Sequence, residues 1–304
     1  MEDRFAGIRE FVATIDGGSF TAAAVELGVT GSAVGKSISK LEARLGAQLL
    51  HRTTRRIDLT TEGEAYLVSC RRILEELDQS EAYLATGHLQ PIGRLRIDLP
   101  TTFGRRHVLP SLLALGLRHP GLDLSISLRD RAVDMVAEGI DIALRIGVLD
   151  DHADLVARRL GEQRLVLCAS PTYLQLHGTP VTRADLAKHD CLTGWRRGNR
   201  PNWLLKNEQG EMAPLQVPVR HELTDGDALL EACLIGCGIA QMPTWLAGES
   251  LRTGALLPVL SDIAGGAVPI HVIWQKTWHM PPKVRVTVDE LTRVAAESPF
   301  FASS

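Results

Sequence analysis

The stretch Gly18-Ser19-Phe20-Thr21-Ala22-Ala23-Ala24-Val25-Glu26-Leu27-Gly28-Val29-Thr30-Gly31-Ser32-Ala33-Val34-Gly35-Lys36-Ser37-Ile38-Ser39-Lys40-Leu41 reads as two short helices joined by a tight turn. Ser19 is placed to cap an alanine-rich helix over Thr21–Leu27, and Gly28 stands where a left-handed residue stops it. After Gly28-Val29-Thr30 a third helix follows, with Val34, Ile38, Leu41 and Leu45 on one narrow stripe. Its opposite face carries Ser32, Lys36, Ser37, Lys40 and Arg44. Small residues at Ala22, Ala23 and Ala24 allow close helix approach. A polar helix held outward on such a frame can enter a major groove.

Upstream, Ile8, Phe11, Val12 and Ile15 recur at helical spacing until Gly17-Gly18. Downstream of Gly46, Leu49 to Thr60 reads as a two-stranded wing with a basic, hydroxyl-rich tip suited to phosphates or a minor groove. Between Thr30 and Thr60 six basic residues (Lys36, Lys40, Arg44, Arg52, Arg55, Arg56) face two acidic ones (Glu42, Asp58). The whole chain has a formal net charge of −3, so any attraction to nucleic acid is local to this segment. Gly31 to Ser37 superficially resembles a phosphate-binding loop. Its glycines enclose three residues instead of the required four, and no strand precedes it.

Phe11-Val12, Gly18 to Ala24, Leu27-Gly28-Val29, Ser32-Ala33-Val34, Ile38, Leu41-Glu42, Leu45-Gly46, Leu49-Leu50 and Arg52-Thr53-Thr54-Arg55 closely resemble the head of LysR-type transcriptional regulators. The match is nearly gapless over some sixty residues. It implies a winged helix-turn-helix head over residues 1–60 that binds double-stranded promoter DNA. The implied contact set is Thr21, Thr30, Ser32, Ala33, Lys36, Ser37 and Lys40 on the helices, with Arg52, Thr53, Arg55 and Arg56 on the wing. The family's third helix often begins with glutamine and carries a serine-arginine pair; here Gly31, Gly35 and Lys36 stand at those positions. Fewer base contacts and more reading of DNA shape are expected as a result.

From Thr61 to about Leu89 no proline intervenes, and Leu67, Cys70, Leu74, Leu77 and Leu84 form a heptad-like seam. Such a helix would run roughly 40 Å at its standard rise. The seam packs either against a partner helix, most simply its own copy, or against the head. Residues 61–90 are therefore read as a dimerisation helix and hinge, Pro91 lying in the hinge stretch Gly87–Gly93. In the resembled family this helix dimerises, and the assembly implied is a homotetramer, a dimer of dimers.

Beyond the hinge, strands at Leu95–Leu99, Leu122–Leu128 and Asp141–Arg145 alternate with a loop Pro100–Gly104, a helix to about Arg118 and a helix around Asp134–Glu138. Further strands are expected at Arg164–Ala169, Gly238–Met242 and Ile270–Trp274. Helices are expected near Thr172–His177, Thr182–Ala187, Asp225–Ile235 and Pro282–Glu297. The alternation predicts an α/β domain with a mainly parallel sheet. Asp134 to Gly147, Leu155 to Arg158 and Gly236 to Pro243 again resemble the LysR family, whose effector domain looks like a periplasmic solute-binding protein. The resemblance implies an effector-binding domain over 91–304, with lobe one at 91–162 and 267–304 and lobe two at 163–266.

Ligands in open α/β sheets sit at the carboxyl ends of strands, near helix N-termini. Thr101, Thr102 and Phe103 follow the first strand, Ile146 and Gly147 follow the buried one, Thr224 and Gly226 precede the helix of lobe two, and Trp195 and Arg196 could wall the cleft. Each threonine serves equally as a helix cap. Arg145 either binds a carboxylate effector or closes an internal salt bridge.

At 304 residues, 45% hydrophobic and 23% charged, the chain has the size for two or three cored units. Five scattered cysteines without a C-x-x-C pair argue against disulfides and zinc, and no cofactor or metal is expected. With neither an apolar leader nor an apolar run of about eighteen residues, a cytoplasmic protein that does not enter a membrane is expected. No G-x-S-x-G, H-E-x-x-H or strand-linked G-x-G-x-x-G pattern points to an enzyme. The alternative kept beside the regulator, which would also contact RNA polymerase, is a solute-binding or enzymatic α/β protein with a head that does not bind DNA.

Overall fold

The computed structural model describes residues 5–52, 57–86, 90–131, 133–149, 152–194, 202–278, 280–298 and 301. It divides into two compact units, Met1–Gly93 with Ala137–Gly139, and Arg94–Val136 with Ile140–Ser304.

The first unit opens with α1 (Ile8–Asp16), α2 (Phe20–Leu27) and α3 (Gly31–Leu45). The Ser19 side chain accepts a hydrogen bond from the Ala22 amide, and Gly28 closes α2 at φ 67°, a conformation that costs glycine nothing. Thr30 caps α3 in the same way through the Ala33 amide. Ile8, Phe11, Val12, Ala23, Val34, Ile38 and Leu41 make the core, which excludes Leu45: that residue is 41% exposed at the last turn of α3, where the stripe outruns the bundle. The wing is the antiparallel pair β1 (Leu50–Arg52) and β2 (Ile57–Leu59), with Leu50 opposite Leu59 and Arg52 opposite Ile57. Then α4 runs Thr61–Thr86, about 40 Å long. Its first turn grazes the chain before β1, because a Cβ on Gly63 would lie 2.0 Å from the Leu49 carbonyl oxygen.

The seam of α4 divides. Leu67 and Cys70 are buried in the head core and Leu74 packs against it, whereas Leu77 is 42% exposed. The head thus covers more of α4 than its spacing alone suggests. Leu84 and the hinge residues 87–89 lie outside the described side chains.

All of β3 (Gly93–Leu99) but its first residue belongs to the second unit. The expected loop after it is instead a helix start: α5 (Thr101–Phe103), a π-turn (Gly104–Val108) and α6 (Leu109–Arg118) follow Pro100 without a break. Pro100 supplies the extended residue before the first turn, and the wide π-turn keeps the chain helical through Gly104. Next come β4 (Leu122–Leu128) and β5 (Ile142–Ile146). Residues 135–139 between them form turns, not the expected helix: Asp134 accepts from the Val136 amide and Gly139 turns the chain at φ 63°.

A single strand, β6 (Leu155–Ala169), then spans both lobes. Residues up to Arg164 pair with β13, and from Leu165 to Cys168 the partner is β11. After it come α7 (Pro171–His177), a 3-10 turn Arg183–Lys188 in place of an α-helix, β7 (Cys191–Gly194), the hairpin β8 (Asn202–Lys206) and β9 (Met212–Gln216), and β10 (Val219–Leu223). The chain ends with α8 (Gly226–Leu234), β11 (Ile239–Pro243), α9 (Thr244–Thr253), β12 (Leu257–Pro258), β13 (Ala267–Gln275) and α10 (Pro282–Glu297).

Strand order is β10-β7-β11-β6-β13-β5-β3-β4, with β12 on β6. The sheet is mixed, correcting the mainly parallel expectation. Pairs β10–β7, β11–β7 and β3–β5 are parallel, but the returning strands β6 and β13 meet every neighbour antiparallel. One apolar core lies under α6 and α10, and two others flank the sheet around Tyr173 and Cys233. Two lobes with separate cores share one continuous strand. No described helix is long and apolar enough to cross a membrane.

Candidate nucleic-acid interface and ligand cavity

On α3 the exposed residues are Ser32, Ala33, Lys36, Ser39, Lys40, Ala43 and Leu45, with Thr21 exposed at the start of α2. Neither Lys36 nor Lys40 meets a carboxylate among the described residues, so their charges remain available to a polyanion. Thr30 and Ser32 share a hydroxyl contact at 3.2 Å. Ser37 is different: its hydroxyl donates to Glu10 Oε1 at 2.9 Å, which ties α3 to α1 and turns the group away from the outer face. Arg44 also turns inward, donating to the Ala6 carbonyl at 3.2 Å.

The wing is held by a residue that spacing did not single out for this task. Glu42 Oε1 accepts from the Leu49 and Leu50 amides at 2.9 and 3.2 Å, fixing β1 against α3. Thr60 completes the junction, donating to the Gln48 carbonyl at 2.7 Å and capping α4 through the Gly63 amide. Of the expected wing contacts, Thr53, Arg55 and Arg56 lie outside the described residues, as does the Arg52 side chain.

In the second unit a cavity of about 620 Å³ opens between the lobes. Thr102, Phe103, Arg145, Ile146, Gly147, Thr224 and Gly226 all line it, so residues distant in sequence are brought to one cavity. Thr101 does not line it; its amide donates to Asp130 Oδ1 at 3.0 Å. Trp195 and Arg196 lie outside the described residues. Arg129, Arg131, Gln163, Gln241 and Trp245 also line the cavity and were not singled out from sequence, since their side chains converge only when the lobes fold together.

Arg145 closes an internal salt bridge, one of the two roles left open for it. Its Nη2 lies 2.8 Å from Asp98 Oδ2, and Arg129 Nε lies 2.7 Å from Asp98 Oδ1. Asp98 is fully buried, and the Ser127 hydroxyl also donates to it at 2.5 Å. Among the described residues three arginines (Arg129, Arg131, Arg145) thus stand against two carboxylates (Asp98, Asp130) at this wall, an excess of one positive charge. The remainder is largely apolar, with Phe103, Leu165, Leu229, Leu246 and Val268. Gln163 accepts from Trp245 Nε1 at 2.8 Å, and Gln241 clamps the Leu204 amide and carbonyl at 2.8 and 2.7 Å. His107 stacks edge-on to Trp245, and burial, then Arg106, holds its pKa below the usual histidine value.

The groups expected to receive an anion at α8 are already engaged. The Thr102 hydroxyl accepts from the Gly226 amide at 3.0 Å and donates to Asp225 Oδ2 at 3.3 Å, while Asp225 Oδ1 accepts from the Ala228 amide. Two carboxylates, Asp225 and Asp227, occupy the positive end of that helix. Among the described residues no cluster of three or more histidines, cysteines or acids could hold a metal.

A winged helix-turn-helix with exposed cations on its third helix, together with a two-lobed domain carrying a ligand-sized cavity, defines a ligand-responsive DNA-binding regulator. Residues 5–64 match the family described as bacterial regulatory helix-turn-helix protein, lysR family, and residues 88–296 match LysR substrate binding domain. The chain belongs to the LysR family of transcriptional regulators. Its relatives include the regulator DmlR of Escherichia coli K12, 37% identical over 292 residues, covering 95% of this chain and 94% of DmlR. A transcriptional repressor of Pseudomonas aeruginosa is 34% identical over 298 residues, covering 98% and 94%. Among solved structures, CrgA of Neisseria meningitidis superposes with a TM-score of 0.60 at 32% identity, covering 96% of this chain and 98% of CrgA. The Vibrio cholerae virulence activator AphB gives 0.58 at 28%, covering 94% and 97%. Members of this family bind promoter DNA and small-molecule effectors, and are regulators, not enzymes.

Proposed function

We propose that the chain reads its promoter through Thr21, Thr30, Ser32, Ala33, Lys36 and Lys40 together with the wing residues Arg52, Thr53, Arg55 and Arg56. The observation that carries this reading is the exposure of Lys36 and Lys40 on α3 with no carboxylate partner among the described residues. Ser37 is left out of the contact set because Glu10 holds its hydroxyl. The effector is a small carboxylate with an apolar body, seated against Arg129, Arg131 and Arg145. Their excess positive charge and the apolar remainder of the cavity support that class.

The working assembly is a homotetramer, a dimer of dimers, in the cytoplasm. Exposure of Ile73 and Leu77 on α4, outside the residues the head covers, supports a copy's helix as their cover. Effector acts by binding one arrangement of the protein more tightly than another, which changes DNA bending and the access of RNA polymerase. Fluorescence anisotropy with the DNA upstream of its own gene, at several salt concentrations, tests the first part. Binding that steepens as salt falls is expected, and Lys36→Ala and Arg52→Ala each weaken it. Absent or salt-insensitive binding by folded protein defeats the reading. For the effector, a thermal-shift screen with paired carboxylates and their amides is expected to favour the acids. Equal shifts from both would remove the charge argument.

A further inference from the structure

We infer that Arg105 and Arg106 of the π-turn form, with Asp225 and Asp227 of α8, a clasp that holds the two lobes together at one rim of the cavity without effector. Both arginines donate to Asp227, and Arg105 Nη2 lies 3.8 Å from Asp225 Oδ2. Beside them, the Thr102 hydroxyl bridges the Gly226 amide and Asp225 across the same cleft. The contacts join residues more than a hundred positions apart (|i−j| 121 to 124), from lobe one to lobe two.

Four features mark this as a built contact. The π-turn sets Arg105 and Arg106 side by side, so one carboxylate collects both guanidinium groups. Thr102 is nearly fully buried, and its hydroxyl is used as donor and acceptor at once. Gly226 leaves room for it: a Cβ there would lie 2.9 Å from Thr102 Oγ1. Asp225 also caps α8, so the helix start is fixed in the geometry that reaches the opposite lobe.

The consequence concerns regulation of the effector cavity and rests on that reading. Apparent effector affinity scales with the fraction of molecules already closed. The clasp supplies that fraction before ligand arrives, and because its ion pairs are part-exposed it loosens with salt. It also explains why the N-terminus of α8 does not receive the effector's charge: two carboxylates already stand there.

The test uses full-length protein without ligand and reads hydrogen exchange at the Gly226 amide. Arg105→Gln with Arg106→Gln alters only lobe one and leaves α8's own capping untouched. We expect Gly226 to exchange about three- to tenfold faster in that variant, the range open to part-exposed ion pairs. High salt is expected to accelerate the wild type toward the variant and to leave the variant unchanged. Adding Asp227→Asn to the double variant should bring no further acceleration, whereas Asp227→Asn alone should resemble it. Unchanged Gly226 exchange in the arginine variant, or fully additive effects, would overturn the clasp. No effector is present, so failure of the carboxylate reading leaves this result standing. Should the arginine variant not fold, Thr102→Val tests the hydroxyl bridge at the same amide.

Discussion

The cations of α3 and the cations of the cavity have opposite surroundings. Lys36 and Lys40 are exposed and meet no carboxylate among the described residues, whereas Arg129 and Arg145 converge on one fully buried aspartate. A solvated, uncompensated cation contributes almost nothing to folding and keeps its charge for a polyanion. A buried, paired one is part of the fold, and its partner's loss leaves charge without compensation. The same residue class therefore serves binding alone on α3, whereas Arg129 and Arg145 are built into the fold through Asp98 as well as lining the cavity, and only the neighbours distinguish them.

Asp98→Ala should break this contrast most severely. It strands two arginines, at 23% and 14% side-chain exposure, beside an apolar core, and a loss of about 3–5 kcal/mol of stability is expected, read as the urea midpoint. A drop under about 1 kcal/mol would mean that water or Asp130 takes over the charges. Lys36→Ala should do the reverse. The urea midpoint stays put, promoter affinity falls by about tenfold at low salt, and the salt slope flattens by about one unit. An unchanged affinity would show that the outer face of α3 is not the one that meets DNA.

Much of the head was legible because its signals are local. Ser19, Gly28 and the stripe Val34-Ile38-Leu41 each act within one or two turns, and the cap and the stop of α2 form as their residue types dictate. The cavity was half legible. Thr102, Gly147 and Gly226 could be placed from strand ends, but Arg129, Gln163 and Trp245 come from three elements that only the lobes bring together. The competition for the α8 N-terminus was hidden for the same reason, since Thr102 and Gly226 find each other across the cleft. β7, β10 and the β8–β9 hairpin strands are only four or five residues long, too short for a pattern to stand out, and the apolar spacing at 135–139 is too short to tell a pair of turns from a helix.

Gly31 and Gly35 sharpen the comparison inside the head. A Cβ at Gly35 would meet nothing within 4 Å, and one at Gly31 would meet only the Phe20 backbone, at 3.7 Å. Neither has a positive φ, so neither packing nor backbone geometry requires glycine there. Both weaken α3 relative to alanine. Gly35→Ala should accordingly raise stability by about 0.5–1 kcal/mol, seen as a higher thermal midpoint. If DNA uses the open space, promoter affinity should fall in the same variant. A gain in stability with undiminished affinity would show that the glycine pair has no part in binding.

The smallest effect expected is a pH dependence confined to the second unit. His107, His189 and His271 all have pKa values held down, in each case chiefly by burial. The neutral form is thus favoured in the fold, and the unfolded chain takes up protons first as pH falls past about 6.5. Their contribution is fully present above that value and is lost as pH drops through the folded values. Glu290, lowered first by its Arg293 hydrogen bond, and Asp185, lowered by the Thr182 backbone, act in the same sense but in a lower window. Their stabilisation is lost only as pH falls beneath the carboxylate range near about 4. Urea midpoints at about pH 7.5 and about pH 5.5 lie on either side of the unfolded histidine value and above the carboxylate range, so their difference reads the histidines. The second unit should be the less stable at the lower pH, and His107→Phe, placed against Phe103 and Trp245, should shrink the difference. An equal midpoint at both values would mean that these rings can take up a proton without leaving the fold.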